Sequence, residues 1–493
     1  MKKNLIFFGF FIVTILFLRL FAVWGTEGLS DDTSYDVLRQ IDSIKQTGVP
    51  LFEDSLSYLG SSRVFNPVLY YLLVPFSYGD TPILHFQIVF QILFLFSISF
   101  LILIIQELGI KKRYAYIGAS LWAVSPISTI VNLNSLSPIV LITPVILLWI
   151  YAYIRWVKNQ KTHTFYFLFF VQLILITLHP IGLISLLGML ISLFYTKIDH
   201  RIIVRKEKEV LLFLFLFAIG IYYFLYYSAF LYHGFGFFFQ QGITTPQLPL
   251  STMIMLVSQL GLIIIPLAVY SLVLYAHHHS IVLRFSTRLL GSLCAIIFIL
   301  FLIRSLSFQV MFYLITLFSI ILVSILLQYV HDRLHKTKYE TILYRSFMVL
   351  IFFVLVTFTI SSFYYANGVI SQAPSKQLLS ALDVASQLNE DSIILTPMNL
   401  AYTTMYFSDK KTLVDKDSLL KSQISQRLDL LNDAYTSSFL TPVLNKLELY
   451  DINRENVYIL FDTPNLPSYI TTSCITLLTN ESDVSLYWIG CET

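Results

Sequence analysis

Two neighbouring carboxylates, Asp31 and Asp32, open a helical pattern in which Tyr35 follows about one turn later and Arg39 about two turns later. Thr33-x-x-Asp36 matches a capping box. Val37, Leu38, Ile41 and Ile44 form one apolar stripe, and Gly48 and Pro50 end it. An acid just ahead of a helix N-terminus sits at the positive end of the helix dipole, which favours its ionised, proton-accepting form. Arg39 in the same segment, together with Arg63 and Arg304 further along, carries the planar guanidinium that suits phosphate. Each residue also has a plainer reading. The acids serve equally as solvated residues at a helix start, Arg39 as a polar-face residue, and Arg63 and Arg304 as interfacial side chains that reach toward water. His277-His278-His279 reads as flanking charge rather than as a metal site, because it lies among basic residues.

The elements that must position these residues are set by hydropathy. Over 493 residues the hydrophobic fraction is 56%, charged residues are 12% and mean hydropathy is +0.74. A soluble globular chain carries about twice that charge fraction. Apolar blocks of span length alternate with short basic patches, which predicts a polytopic α-helical membrane protein with about eleven spans. The predicted spans are 4–24, 82–106, 114–131, 138–156, 164–178, 181–195, 210–230, 252–275, 289–303, 306–330 and 343–363. The fifth and sixth read as a helical hairpin broken at His179-Pro180. With a cytoplasmic N-terminus, nineteen Lys and Arg fall in inside connections and only Arg39, Lys45, Arg63 and Arg304 in outside ones. That places 25–63 and 366–493 on the extracytoplasmic face of the cell membrane. The expected division is a transmembrane module over 1–365, carrying the outer loop 25–63, and a small mixed α/β domain over 366–493.

The helix after Asp32 is expected to lie on the membrane surface, and the apolar stretch 66–73 to dip in and out. In the tail, 374–388 and 417–447 read as helical and 392–396 and 456–461 as strands. Net charge is only +3, which gives no reason to expect a nucleic-acid partner. The three cysteines, Cys294 in a predicted span and Cys474 and Cys491 in the tail, have no zinc or disulfide-framework spacing and are read as ordinary buried thiols, with a Cys474–Cys491 bridge as the alternative. Inside the spans Arg19 is the clearest polar residue, with no acid at matching depth. Paired mid-membrane charges and internal repeats of a secondary transporter are not found. Charge gathers instead in the first outer loop, which holds seven carboxylates.

A first span, an acidic pair, a surface helix patterned Asp31-Asp32-x-x-Tyr35-x-x-x-Arg39 and a Pro-x-Leu-Tyr-Tyr-Leu-Leu stretch resemble the type C glycosyltransferases. These include the protein O-mannosyltransferases, the aminoarabinose lipid A transferases and, more distantly, the oligosaccharyltransferase catalytic subunits. His179-Pro180-Ile181-Gly182, Arg304 before a late span, and Thr396-Pro397-x-Asn399-x-x-Tyr402 are also similar. The resemblance implies transfer of a hexosyl or pentosyl group from a polyprenyl-phosphate carrier to a lipid, glycan or protein acceptor outside the membrane. It implies Asp31 as general base with Asp32 beside it. It places Arg39, Arg63, Arg304 and His179 on the donor phosphate, and Tyr35, Asn66 and Tyr402 in contact with donor or acceptor. The second outer loop, 132–138, has no carboxylate, so neither a metal nor any other cofactor is expected. The tail lacks the Trp-Trp-Asp acceptor motif of oligosaccharyltransferases. Two other classes remain open: a transporter or flippase for a lipid-linked or small solute, and a non-enzymatic membrane assembly or sensor protein.

Overall fold

The computed structural model describes residues 2–24, 26–58, 60–62, 67–79, 82–159, 161–198, 205–233, 264–275, 280–303, 306–415, 424–450, 452–462, 466–472, 474–481 and 484–489. The chain divides into two compact units. One is helical and comprises Met1–Gly25 with Leu84–Ser371; the other joins Thr26–Ile83 to Gln372–Thr493.

In the helical unit, the membrane-length apolar helices are α4 (Pro82–Glu107), α7 (Pro138–Asn159), α12 (Ile281–Leu302), α13 (Phe308–Leu334) and α14 (Glu340–Ile370). Among the described residues that makes five, or six if the bent pair α5 (Lys112–Ala123) and α6 (Pro126–Asn132) is one span. The apolar helices α1 (Lys2–Val23), α8 (Thr162–Leu178), α9 (Ile181–Ile198), α10 (Arg205–His233) and α11 (Ile264–Tyr275) also belong to this unit. The protein is therefore mostly helical and multi-pass. The predicted third span, 114–131, is not one straight helix: it bends by 54° between Ala123 and Pro126. Pro126 has no N–H and disfavours the helical conformation at the residue before it, and Ser125 is extended (φ −67°, ψ 125°). Carbonyls at the break also accept from hydroxyls. Ser128 Oγ donates to the Trp122 and Ser125 carbonyls at 3.0 and 2.8 Å, and Ser362 Oγ donates to that of Val124 at 2.6 Å. With no water to solvate it, a broken span needs such partners.

The predicted hairpin break is at His179-Pro180, between α8 and α9. His179 is extended there, its Nδ1 accepts from the Ile181 N–H at 3.2 Å, and its carbonyl accepts from Tyr222 Oη at 2.8 Å. A side chain on Gly182 would lie 2.6 Å from Ile176 Cα, so only glycine allows α9 to return so close to α8.

The second unit is built on a five-stranded mixed sheet of β3 (Ile393–Leu395), β4 (Lys411–Thr412), β5 (Val457–Asp462), β6 (Ile475–Glu481) and β7 (Val484–Ile489), in the order β4-β3-β5-β7-β6. Its β4-β3-β5 side is parallel and its β5-β7-β6 side antiparallel. Alternation along the strands buries both faces. Leu395, Val457, Ile459 and Phe461 pack with Leu430, Val443 and Leu447 of α17 (Ile424–Thr436) and α18 (Thr441–Leu449). On the opposite face Ile394, Leu460 and Leu486 pack with Leu378, Ala381 and Leu382 of α15 (Lys376–Ser386). The tail is thus a three-layer α/β/α arrangement. Cys294 is free, while Cys474 is disulfide-bonded, the alternative left open in the sequence. Its partner lies outside the described residues.

The segment 26–83 is woven into this domain. It holds α2 (Asp32–Thr47), a two-stranded ribbon of β1 (Glu53–Asp54) and β2 (Ser61–Ser62), and α3 (Val68–Leu73), which runs on as a 3-10 turn over Val74–Ser77. Ser57 pairs in parallel with Thr412, the Tyr58 N–H donates to the Thr412 carbonyl at 3.0 Å, and the Thr412 N–H donates to that of Leu56 at 2.9 Å. The loop thereby covers the edge strand β4, a position that otherwise presents unpaired backbone groups.

Candidate functional site

The predicted acidic pair is at the start of α2, and the structure separates its two members. Asp31 is the N-cap, in extended conformation (φ −110°, ψ 121°); its side chain accepts from the Thr33 N–H at 3.3 Å and from the Thr33 hydroxyl. The cap is therefore Asp31 and not the Thr33 of the predicted capping box. Asp31 is half-buried, at the positive end of a sixteen-residue helix. Asp32 is buried, and its Oδ1 accepts from the Thr403 N–H at 2.8 Å and from Thr403 Oγ1 at 3.0 Å. Thr403 belongs to α16 (Ala401–Ser408), so this carboxylate ties the loop to the tail.

The apolar face of α2, predicted to rest on the membrane, is buried within this unit: Val37, Leu38, Ile41 and Ile44 are all buried and α2 packs along α16. Tyr35 is completely buried. Its phenolic oxygen accepts from the Leu29 N–H at 2.8 Å and donates to the Leu29 carbonyl at 3.2 Å, while its ring packs between Tyr406 and Phe407 at 5.6 and 5.4 Å. Burial raises the Tyr35 phenol far above its ordinary range, and the bond to Leu29 only partly offsets this. A side chain on Gly28 would collide with that phenolic oxygen, so a glycine is required there. Tyr402 is likewise buried, at 2% exposure. Tyr35 and Tyr402, the residues expected to touch donor or acceptor, are thus both buried, Tyr35 against Tyr406 and Phe407 of α16.

Arg39, expected on the donor phosphate, is paired with Asp54. Its Nη2 and Nη1 donate to the two oxygens of Asp54 at 2.7 and 2.9 Å, both side chains are more than nine-tenths buried, and Nη1 also lies 3.0 Å from Met405 Sδ. A bidentate buried pair of this kind commits the guanidinium. Arg39 thereby fixes the β1 ribbon against α2. Arg63, Asn66 and Arg304 lie outside the described residues, as do His277, His278 and His279. His179 belongs to the helical unit, where it caps the α8–α9 break.

Three residues of this site were missed in the sequence: Thr403, Asp54 and Asp42. Asp32, Tyr35, Arg39 and Asp42 recur at helical spacing, and a polar stripe of that kind beside the apolar one was the available signal. Asp42 is half-buried, its carboxyl raised by burial against the lowering effect of Lys45. Burial, with the charge of Asp42, pushes the Tyr406 phenol up to about 12.

The helical unit has its own polar interior. Arg19 Nε donates to Gln91 Oε1 at 3.0 Å, Gln87 Nε2 donates to Asn134 Oδ1 at 2.7 Å, and Gln91 Nε2 to the Asn132 carbonyl at 3.3 Å. The 132–138 loop thus presents buried neutral amides, and Asn134 is left-handed (φ 57°).

With this geometry in view, solved structures supply the comparison. The oligosaccharyltransferase of Archaeoglobus fulgidus in its apo form superposes with a TM-score of 0.62 at 13% identity, over 92% of this chain and 69% of that one. The same organism's AglB in complex with an inhibitory peptide and a dolichol-phosphate gives 0.60 at 13% identity, over 91% and 69%. ArnT from Cupriavidus metallidurans bound to undecaprenyl phosphate gives 0.51 at 11% identity, over 98% and 97%. The fold is that of the type C glycosyltransferases. Neither protein-family models nor curated proteins match the sequence. The likeness thus lies in the architecture, from the helical unit to the loop and tail that form the second unit.

Proposed function

We propose that this chain is a membrane glycosyltransferase that moves a sugar from a polyprenyl-phosphate carrier to an acceptor hydroxyl on the extracytoplasmic face. One observation carries the reading: in a type C fold, the acid pair is divided into an anchored Asp32 and a half-buried Asp31 at a helix N-terminus. The donor class comes from the neighbours, since AglB was solved with dolichol-phosphate and ArnT with undecaprenyl phosphate. In the reaction the acceptor oxygen bonds the anomeric carbon as the bond from that carbon to the phosphate oxygen breaks. Asp31 takes the hydroxyl proton, and polyprenyl phosphate leaves with the bonding electrons, so no general acid is needed on that side. Asp32 positions Asp31 through the α2–α16 tie. Arg63 and Arg304 are the proposed cations for the departing phosphate. The second outer loop offers amides where a hard divalent cation takes carboxylates, so the reading is metal-independent.

The reading takes eleven spans, a cytoplasmic N-terminus and an extracytoplasmic unit of loop and tail, supported by the distribution of basic residues. The bend between α5 and α6 does not favour a transporter, because its carbonyls are already bonded by serines of this unit. The test is sugar transfer from a polyprenyl-phosphate sugar in membranes with matched amounts of wild type and Asp31→Asn. The expected loss is roughly 10²–10⁴-fold, and gene deletion is expected to cause a lipid-linked sugar to accumulate. Unchanged turnover in Asp31→Asn together with an unchanged lipid-linked pool would overturn the reading.

A further inference from the structure

A cavity of about 460 Å³ lies within the helical unit, bounded by α1, the α5–α6 bend and α14. Its volume is that of a small-molecule site, about 300–1,000 Å³. The walls are mainly apolar, including Ile15, Ala22, Leu133 and Ala366, and they run out to Phe21 and Phe363, which are exposed on the surface of this apolar unit. Among the described residues that line it, Arg19 is the only charged one. It is 6% exposed and held firmly: Nε on Gln91 at 3.0 Å, Nη1 on Thr129 Oγ1 at 3.3 Å, and the guanidinium carbon 4.3 Å from the centre of the Phe94 ring. Its remaining nitrogen, Nη2, is buried with no hydrogen-bond partner among the described residues. A buried cation whose neighbours are neutral bears a large desolvation cost, and a buried N–H group normally has an acceptor. Thr359 and Ser362 of α14 add hydroxyls to the lining.

We propose that this cavity holds an anionic glycerophospholipid of the surrounding bilayer, with its phosphodiester on the Arg19 guanidinium and an acyl chain along the apolar wall toward Phe21 and Phe363. Charge sets the identity of the occupant. A phosphodiester carries one negative charge, matched by the single guanidinium. A polyprenyl phosphate released in a transfer reaction becomes a doubly charged monoester, and holding it requires more cationic donors than this lining provides. The site is therefore one for a resident lipid, and it does not rest on the transferase reading.

The experiment uses the full chain, delipidated in detergent and reconstituted in nanodiscs of phosphatidylcholine with or without phosphatidylglycerol. Retained lipid is measured by mass spectrometry and stability by melting temperature. Wild type is expected to retain phosphatidylglycerol selectively and to melt higher with it. Arg19→Gln is expected to retain it about tenfold less, the loss of one charge-assisted hydrogen bond. Ala22→Phe fills the cavity while leaving the bonds of Arg19 in place, and it decides the matter if Arg19→Gln folds poorly. Equal retention of the two phospholipids, or wild-type retention in Ala22→Phe, overturns the assignment. Displacement of phosphatidylglycerol by an equivalent of undecaprenyl phosphate also overturns it, making the cavity a carrier site.

Discussion

Asp32→Ala removes the acceptor that the Thr403 N–H and Thr403 Oγ1 share, at 2.8 and 3.0 Å, in a site where Asp32 is 7% exposed. Hydrogen bonds to a charged group contribute about 1.5–3 kcal/mol each, and an orphaned buried donor costs about 1–3 kcal/mol. Because the hydroxyl of Thr403 can turn toward another acceptor, the expected loss is roughly 2–4 kcal/mol. For a domain of this size that is a fall in melting temperature of roughly 5–15 °C. Asp32→Asn keeps an oxygen where Oδ1 stands and loses only the charge, so it is expected to lose about 1 kcal/mol. The assay is melting of the purified chain in detergent, combined with limited proteolysis of the 26–83 segment, which is expected to become cleavable in Asp32→Ala as α2 detaches from α16. Asp31→Asn is the control: wild-type melting with depressed transfer. Wild-type melting and protection in Asp32→Ala would refute the anchoring role. A larger loss of stability in Asp31→Asn than in Asp32→Asn would refute the division of roles between the two acids.

Four further outcomes are expected. Arg39→Met leaves Asp54 buried without its cation, and about 3–5 kcal/mol of stability is expected to be lost; recovery in Arg39→Met with Asp54→Leu, measured by melting, would show that the pair acts mainly as a strut. Gly28→Ala drives a methyl group onto the Tyr35 phenol, so the protein is expected to melt lower, while Gly28→Ala with Tyr35→Phe recovers part of the loss. Burial raises the folded-state pKa of Asp42 above its unfolded value, so its ionisation opposes folding, and stability is lost as pH rises from the ordinary carboxylate range through the raised value. Asp42→Asn is therefore expected to melt above wild type at about pH 7 and level with it at about pH 4, in a melting series across that range. Single cysteines at Gln46 and Leu449, exposed in the second unit, are expected to react with an impermeant thiol reagent on intact cells, and one at Lys336 to be protected; the reverse pattern would invert the topology.

The long apolar helices were legible because each carries its own signal within about twenty residues. The break at Ser125-Pro126 was equally local, yet hydropathy averaging passed over a proline whose effect is confined to one turn. The contacts that organise the candidate site were not legible. Asp32 and Thr403 are 371 positions apart, and Arg39 meets Asp54 only because the β1 ribbon folds back on α2. Tyr35 and Tyr402 were recognisable as important, but no spacing rule tells a buried phenol from one that faces a ligand. In the helical unit attention to charge singled out Arg19 and overlooked Gln87, Gln91, Asn132 and Asn134, the neutral amides that surround it or line the neighbouring loop.

The joining of Thr26–Ile83 with Gln372–Thr493 sets a timetable for synthesis. The acid pair leaves the ribosome early, but Thr403, and the strand edge that Ser57 covers, are made only after the whole of Leu84–Ser371. At about 5–20 residues per second that interval is roughly 15–60 s. Throughout it α2 has α3 and the turn that follows but not α16, and Asp54 and Arg39 have each other but not Met405. A nascent chain in this condition is exposed to proteases and to misassociation. A premature stop anywhere before residue 403 therefore disables the first loop as well as the tail, even though every residue of that loop has been made.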